Sequence, residues 1–498
     1  MALFTHVTTL VGGPLAHMSG ISDLNIFQIG GVDYLYTASN ADGGMNSFAL
    51  SEGAAAAYVN QIGYSINRGT LGLRAVDTLQ VNGQDILLPS GRFDDRTAIH
   101  KLGSDGGFDG LQILGSSPTE IGGFTQSIGI QIQGKTFMVA SQYNQPGFRS
   151  FRLRDDLTLE HKKHFDDNAN EFIGDVTSLA YAQVAGRSYF FAASATDAGV
   201  SSYWMGKWGN IKYRDSFGPT DGPGFSVPNV LETAVVDGTM YLLLGAFGTS
   251  SITVLRVNQF GGLFVEDHVL DTTDTRFQGV ADIETFVFGG RTFILAGGSD
   301  DGLTLFELAP GGNLFEITSI ADQLNTTLQN VSSIVATVIG SEIQVFVAGE
   351  AEQGVTQFTL DLGNLGATIL GNDNANTLNG TAADDLIMGF DLADQLNGLA
   401  GDDRLVDGAG ADIMTGGAGA DVFVFVSDGR KDTVTDFVLG EDRLDLSGYT
   451  SIYHYRSLTI TSQTYGANLN FGSERIRLET ADGSSLSFDD FSQDDFIF

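Results

Sequence analysis

The sequence predicts an all-β protein: a seven-bladed β-propeller over residues 1–365, followed by a parallel β-roll over 366–498. Three observations carry this. A strand–turn–strand pattern returns about every 52 residues through the first 360, and a strict nine-residue pattern then starts at Gly371. The 498 residues include 65 Gly and 35 Phe but only 8 Pro, a composition that suits short strands and tight turns.

The propeller is read from its turns. Segment 284–308, ETFVFGGRTFILAGGSDDGLTLFEL, is built like 232–257, ETAVVDGTMYLLLGAFGTSSITVLRV, and like 127–153 and 179–205. Each is a strand, a tight turn, an apolar strand, a small polar loop and an alternating strand. The turn glycine recurs at Gly31, Gly83, Gly134, Gly186, Gly238, Gly290 and Gly340, at intervals of 50–52 residues. A fourth strand follows a loop, as in 261–270. Four short antiparallel strands repeated seven times make a propeller. Residues 3–11, LFTHVTTLV, look like the fourth strand LFVEDHVL at 263–270, while the last copy ends near Leu362 without a clear fourth strand. The N-terminal strand is therefore expected to complete blade seven and leave no open edge.

Composition changes near residue 365. Residues 361–498 hold 24 acidic and 7 basic residues, more than twice the net negative charge per residue of the preceding part. The whole chain has 61 Asp and Glu against 25 Lys and Arg. Such acidity excludes nucleic acid as a partner and disfavours anionic membrane surfaces, but it attracts cations. Cysteine is absent, which removes disulfides, thiolate metal sites and cysteine nucleophiles. No apolar run is long enough to span a bilayer. Met1 to Gly20 has no Lys or Arg before its apolar stretch and makes a poor secretory signal peptide.

The roll is read from six units: GNDNANTLN, GTAADDLIM, GFDLADQLN, GLAGDDRLV, DGAGADIMT and GGAGADVFV, over 371–424. Position six is Asn376, Asp385, Asp394, Asp403, Asp412 and Asp421; position eight is Leu378, Ile387, Leu396, Leu405, Met414 and Phe423. This is the spacing of calcium-binding parallel β-structures. The turn glycines Gly398, Gly401, Gly408, Gly410, Gly417 and Gly419 let backbone carbonyls turn inward. Calcium takes six to eight oxygens, from carboxylates and carbonyls together. Successive turns alternate sides, so an ion is expected between turns n and n+2, pairing Asp385 with Asp403, Asp403 with Asp421, and Asp394 with Asp412. The first three units depart from the pattern at position four, with Asn374, Ala383 and Leu392.

This array resembles the repeats-in-toxin (RTX) family of secreted calcium-binding proteins. The segment DTVTDFVLGEDRLDLSGY at 432–449 and the terminus DDFIF at 494–498 resemble the region after the roll in serralysin-type proteases. That resemblance implies an uncleaved C-terminal signal read by a type I secretion exporter, an extracellular or cell-surface location, and Ca2+ as cofactor. The blade pattern resembles seven-bladed lactonase-type propellers.

Catalytic patterns are few. None of the seven histidines sits in a His-Glu-x-x-His pattern, so a serralysin-type zinc site is absent. Residues 129–136 fit a phosphate-loop pattern, but the Ile/Gln alternation and the strand-like FMVAS that follows mark a hairpin. No Gly-x-Ser-x-Gly elbow occurs. The innermost strands, before each turn glycine, carry Asp23, Asp77, Glu232, Asp282 and Glu284, with Ser127, Ser178 and Ser332 in other blades. These carboxylates are candidates for a metal in the propeller channel, set against a polar, water-filled channel. Tyr203, Trp204 and Trp208 are candidates for stacking a sugar ring. The functional expectation is an exported calcium-binding protein whose propeller binds a glycan or surface protein or assembles with itself. The alternative is an extracellular metal-dependent hydrolase of lactone or ester type with its site in the channel.

Overall fold

The computed structural model describes residues 3–12, 15–63, 72–93, 97–114, 123–449 and 452–498. Four residues of the segment read as a poor signal peptide, Met1, Ala2, Gly13 and Pro14, lie outside that set. The chain divides into two compact units, Ala2–Asp361 and Leu362–Phe498.

The first unit is a seven-bladed propeller, each blade a four-stranded antiparallel sheet. In blade five the strands are Pro228–Val236, Thr239–Ala246, Ser251–Val257 and Leu263–Leu270, paired in chain order. The second strand of each blade is covered on both faces by neighbouring blades. Its apolar residues therefore run continuously instead of alternating. Leu242, Leu243 and Leu244 are wholly buried in this way, as are Phe293, Ile294, Leu295 and Ala296.

Six of the first turns place two residues at positive φ, as at Asn82 (48°) and Gly83 (78°) or Asp237 (46°) and Gly238 (73°). This is the hairpin turn whose twist matches the flanking strands. In the seventh turn Gly340 takes φ 63° and the residue after it does not share the left-handed conformation. Its glycine occupies the first turn position rather than the second, which explains the shortened interval there.

Blade seven is closed by the N-terminal strand. Leu3–Leu10 pairs antiparallel with Val355–Asp361, from Leu3 opposite Asp361 to Leu10 opposite Val355.

The second unit is a parallel β-roll of two sheets. Alternate turns feed opposite sheets, so position-eight residues stack two units apart. Ile387 lies beside Leu405, Leu405 beside Phe423, and Phe423 beside Leu444. On the other sheet Leu396 lies beside Met414 and Met414 beside Val434. All are buried and form one core with Phe437, Tyr455 and Phe496. The strand Leu365–Leu370 joins the first sheet next to Asp384–Met388, and Phe496–Ile497 adds its last strand beside Arg443–Asp445.

Candidate functional site

Parallel stacking at an 18-residue step brings the position-six side chains into two columns. Asp385, Asp394, Asp403, Asp412 and Asp421 are each 1% exposed. Within a column each carboxylate uses Oδ1 to accept the backbone N–H of the residue two units earlier. Asp403 accepts from Asp385 at 2.8 Å, Asp421 from Asp403 at 2.9 Å, and Asp412 from Asp394 at 2.6 Å. The second oxygen behaves differently. Oδ2 of Asp394, Asp403, Asp412 and Asp421 is buried with no hydrogen-bond partner among the described residues. Asp385 is the exception, because its Oδ2 accepts from the Thr381 N–H at 2.5 Å and the Thr381 hydroxyl at 3.0 Å.

Burial first, and neighbouring carboxylates next, push Asp403 up to about 6, Asp412 to about 7 and Asp421 to about 8. Rows of half-satisfied buried carboxylates are costly until a cation neutralises them. Oxygen donors of this kind fit calcium.

The turn glycines act through space as well as conformation. Gly401, Gly408, Gly417 and Gly419 take positive φ. Gly398 and Gly410 do not; a Cβ at Gly398 would strike Oδ2 of Asp403 and the carbonyl of Gly416, and one at Gly410 the carbonyl of Leu392. Where glycine is missing the turn still forms: Phe390, Leu392 and Leu399 adopt φ of 73°, 69° and 79°, a local strain that parallel stacking holds in place.

In the propeller, Asp23, Asp77, Glu232, Asp282 and Glu284 all line one cavity of about 600 Å³. Four of them latch one blade to another. Asp23 accepts the Val76 N–H at 2.7 Å, Asp77 the Gly129 N–H at 2.5 Å, Asp282 the Ile334 N–H at 2.7 Å, and Glu284 the Ala336 N–H at 3.1 Å. Glu232 accepts the Thr285 hydroxyl at 3.4 Å. Serines serve the same role in other blades: Ser178 takes the Leu231 N–H and Ser333 the Leu24 N–H, both at 3.0 Å.

Burial raises Asp77 and Asp282 to about 6 and Glu232 to about 7, and holds Asp23 and Glu284 well above the usual carboxylate range. Among the described residues no three of these acids bring oxygens together within reach of one ion. The aromatic candidates separate. Tyr203 is core, packed on Phe148 and Phe190, whereas Trp208 is 67% exposed with the Lys135 ammonium 3.3 Å above its ring.

Residues 370–391 and 388–423 match the RTX calcium-binding nonapeptide repeat, in four copies. RTX repeats bind calcium, and the buried Asp columns fit that chemistry. The propeller is similar to a functionally unknown protein from Desulfotomaculum acetoxidans DSM 771, with 12% identity over 65% of this chain and 98% of that one, at a TM-score of 0.45. It is also similar to PpgL, the periplasmic gluconolactonase of Pseudomonas aeruginosa, with 14% identity over 64% of this chain and 97% of that one, at a TM-score of 0.48. No curated protein matches the sequence. Among the described residues no helix is long and apolar enough to cross a membrane.

The Asp columns extend past the nonapeptides. Asp432 accepts the Asp412 N–H and Asp442 the Asp421 N–H, each at 3.0 Å. Sequence reading by nines misses both, because inserted residues stretch the steps to 20 and 21 residues. The surviving signal is Asp-x-apolar: Asp432-Thr433-Val434 and Asp442-Arg443-Leu444 repeat the order of Asp412-Ile413-Met414. Asp442 has both oxygens engaged, the second by the Val438 N–H at 2.7 Å.

Proposed function

We propose that this is a secreted, calcium-dependent protein whose roll folds on calcium after export and whose propeller is a binding or surface-assembly module. One observation supports the calcium part above all: the unpartnered Oδ2 atoms of Asp394, Asp403, Asp412 and Asp421. These carboxylates, with carbonyls of the turns around Gly398, Gly401, Gly408, Gly410, Gly417 and Gly419, are the proposed ligands. Asp385 contributes least, since Thr381 occupies its second oxygen. In a low-calcium cytoplasm the repelling columns keep the region expanded, which suits passage through a type I exporter. In the medium the ion drives folding.

Titrating the full chain with calcium tests this. Asp403→Asn with Asp421→Asn should lower the number of calcium ions bound and the strand signal in circular dichroism; unchanged uptake would overturn it. Export is tested by removing residues 494–498, after which the protein should accumulate inside cells carrying its exporter.

The propeller is assigned binding rather than turnover because its channel carboxylates are engaged as interblade latches. Hydrolysis of a lactone or ester in the channel is the second reading, favoured by the gathering of raised-pKa acids in one cavity. It predicts metal-dependent turnover that is lost in Asp282→Asn.

A further inference from the structure

The fifth unit of the roll breaks the position-one rule, with Asp407 where the other five units have glycine. The glycine is there for room. A Cβ at Gly371, Gly380, Gly389, Gly398 or Gly416 would lie no more than 2.7 Å from a side-chain oxygen of its own unit's position-six residue. At position 407 a carboxylate occupies that space, directly beside the ligand column.

Its geometry is fixed. Asp407 Oδ1 accepts the N–H groups of Gly408 at 2.6 Å and Val426 at 2.9 Å. Its Oδ2 is buried and has no hydrogen-bond partner among the described residues, and the same holds for Oδ2 of Asp412. One oxygen each from Asp407, Asp412 and Asp432 lie within 4.8 Å of one another. The three residues are 0%, 1% and 3% exposed. The hydroxyl of Tyr449 is likewise buried and unpartnered among the described residues. The charges of Asp407 and Asp432 act on that phenol.

We propose that Asp407, Asp412 and Asp432 form a three-carboxylate calcium site at the C-terminal end of the roll, tighter than the two-carboxylate turns before it. Three buried carboxylates pinned by backbone N–H groups, with two oxygens left open, are strongly unfavourable alone. A hard divalent cation answers them, and affinity in such sites rises with the number of ligand charges. Tyr449 lies close enough to report on the ion. The proposal rests on the calcium reading of the RTX turns.

The test uses the full chain and two variants. Asp407→Gly restores the residue that the other units carry, and Asp407→Asn keeps the acceptor for Val426 while removing the charge. Calcium titration by calorimetry should show one tight ion in the native protein. In both variants its Kd should rise about tenfold or more while the other ions are unchanged. Tb3+ emission excited through tyrosine should fall in both variants and in Tyr449→Phe.

If Asp407 only caps Val426, Asp407→Asn will bind calcium like the native chain, and the proposal falls alone. If Asp403→Asn with Asp421→Asn loses calcium while both Asp407 variants keep every ion at native affinity, it also falls alone. A native chain that takes up no calcium would overturn it together with the calcium reading.

Discussion

The propeller and the roll both carry carboxylates at repeat-spaced positions, and they use them in opposite ways. In the propeller, Asp23, Asp77, Asp282 and Glu284 each take an N–H from another blade. In the roll, Asp394, Asp403, Asp412 and Asp421 each take an N–H two units back with one oxygen, and the other meets nothing within the described residues. A buried carboxylate with its partners inside the chain is a fastener. A buried carboxylate left half-satisfied is a vacancy for a cation. The propeller acids are half-buried along a cavity, while the roll Asp residues are about 1% exposed, so an oxygen without a protein partner is costly in the roll and not in the channel.

The largest test of this contrast is chelation. Each ion held at a thousandfold excess over its Kd adds about 4 kcal/mol to the fold that binds it. Calorimetry of the full chain should show a roll transition that collapses in EDTA and a propeller transition that stays. Two transitions indifferent to EDTA would erase the contrast.

Removing Leu3–Leu10 should do the reverse. It unpairs Val355–Asp361 and strips cover from the blade-seven core around Phe358. The propeller should lose on the order of 3 kcal/mol or more, and the roll nothing. An unchanged propeller melting temperature would refute closure by this strand.

Single substitutions sharpen the comparison further. Asp77→Ala leaves the Gly129 N–H without its acceptor and should cost about 1–3 kcal/mol with or without calcium. Asp403→Asn should cost little in EDTA and much in calcium. Equal behaviour of the two in both buffers would show that partner count does not divide them.

The smallest expected effect is on pH. Folding raises Asp77 and Asp282 to about 6 and Glu232 to about 7. As pH climbs, the unfolded chain releases these protons first. Their contribution is therefore full below about pH 4 and is lost as pH rises through 6 to 7. The propeller should be more stable at pH 5 than at pH 8, by on the order of 1 kcal/mol or more. A transition that rises over that range would show that burial does not dominate these acids.

The architecture was legible because both repeats are written in residues that geometry demands. Gly83 and Gly238 mark hairpin turns, and Ile387, Leu405 and Phe423 mark one face of the roll. The stacked Asp columns were legible for the same reason. The latches were not, since Asp23 meets Val76 only through the spacing of adjacent blades. Yet donor and acceptor stand 53 residues apart, about one repeat, and that regularity was available. Asp432 and Asp442 were hidden by insertions that break the nine-residue count while keeping the stacking. Asp407 was visible as a missing glycine, but its meaning needed the positions of Asp412 and Asp432.

The pairing of Leu3 with Asp361 also sets an order in time. Roll turns meet neighbours 18 residues away and can add one after another. The ring finishes only when its first strand finds its last blade across nearly the whole propeller sequence, the contact with the greatest loop-closure entropy. Completion of the ring should be the slow step of folding. A circular permutant that places Leu3–Leu10 after Asp361 through a short turn should refold markedly faster, at little cost to final stability.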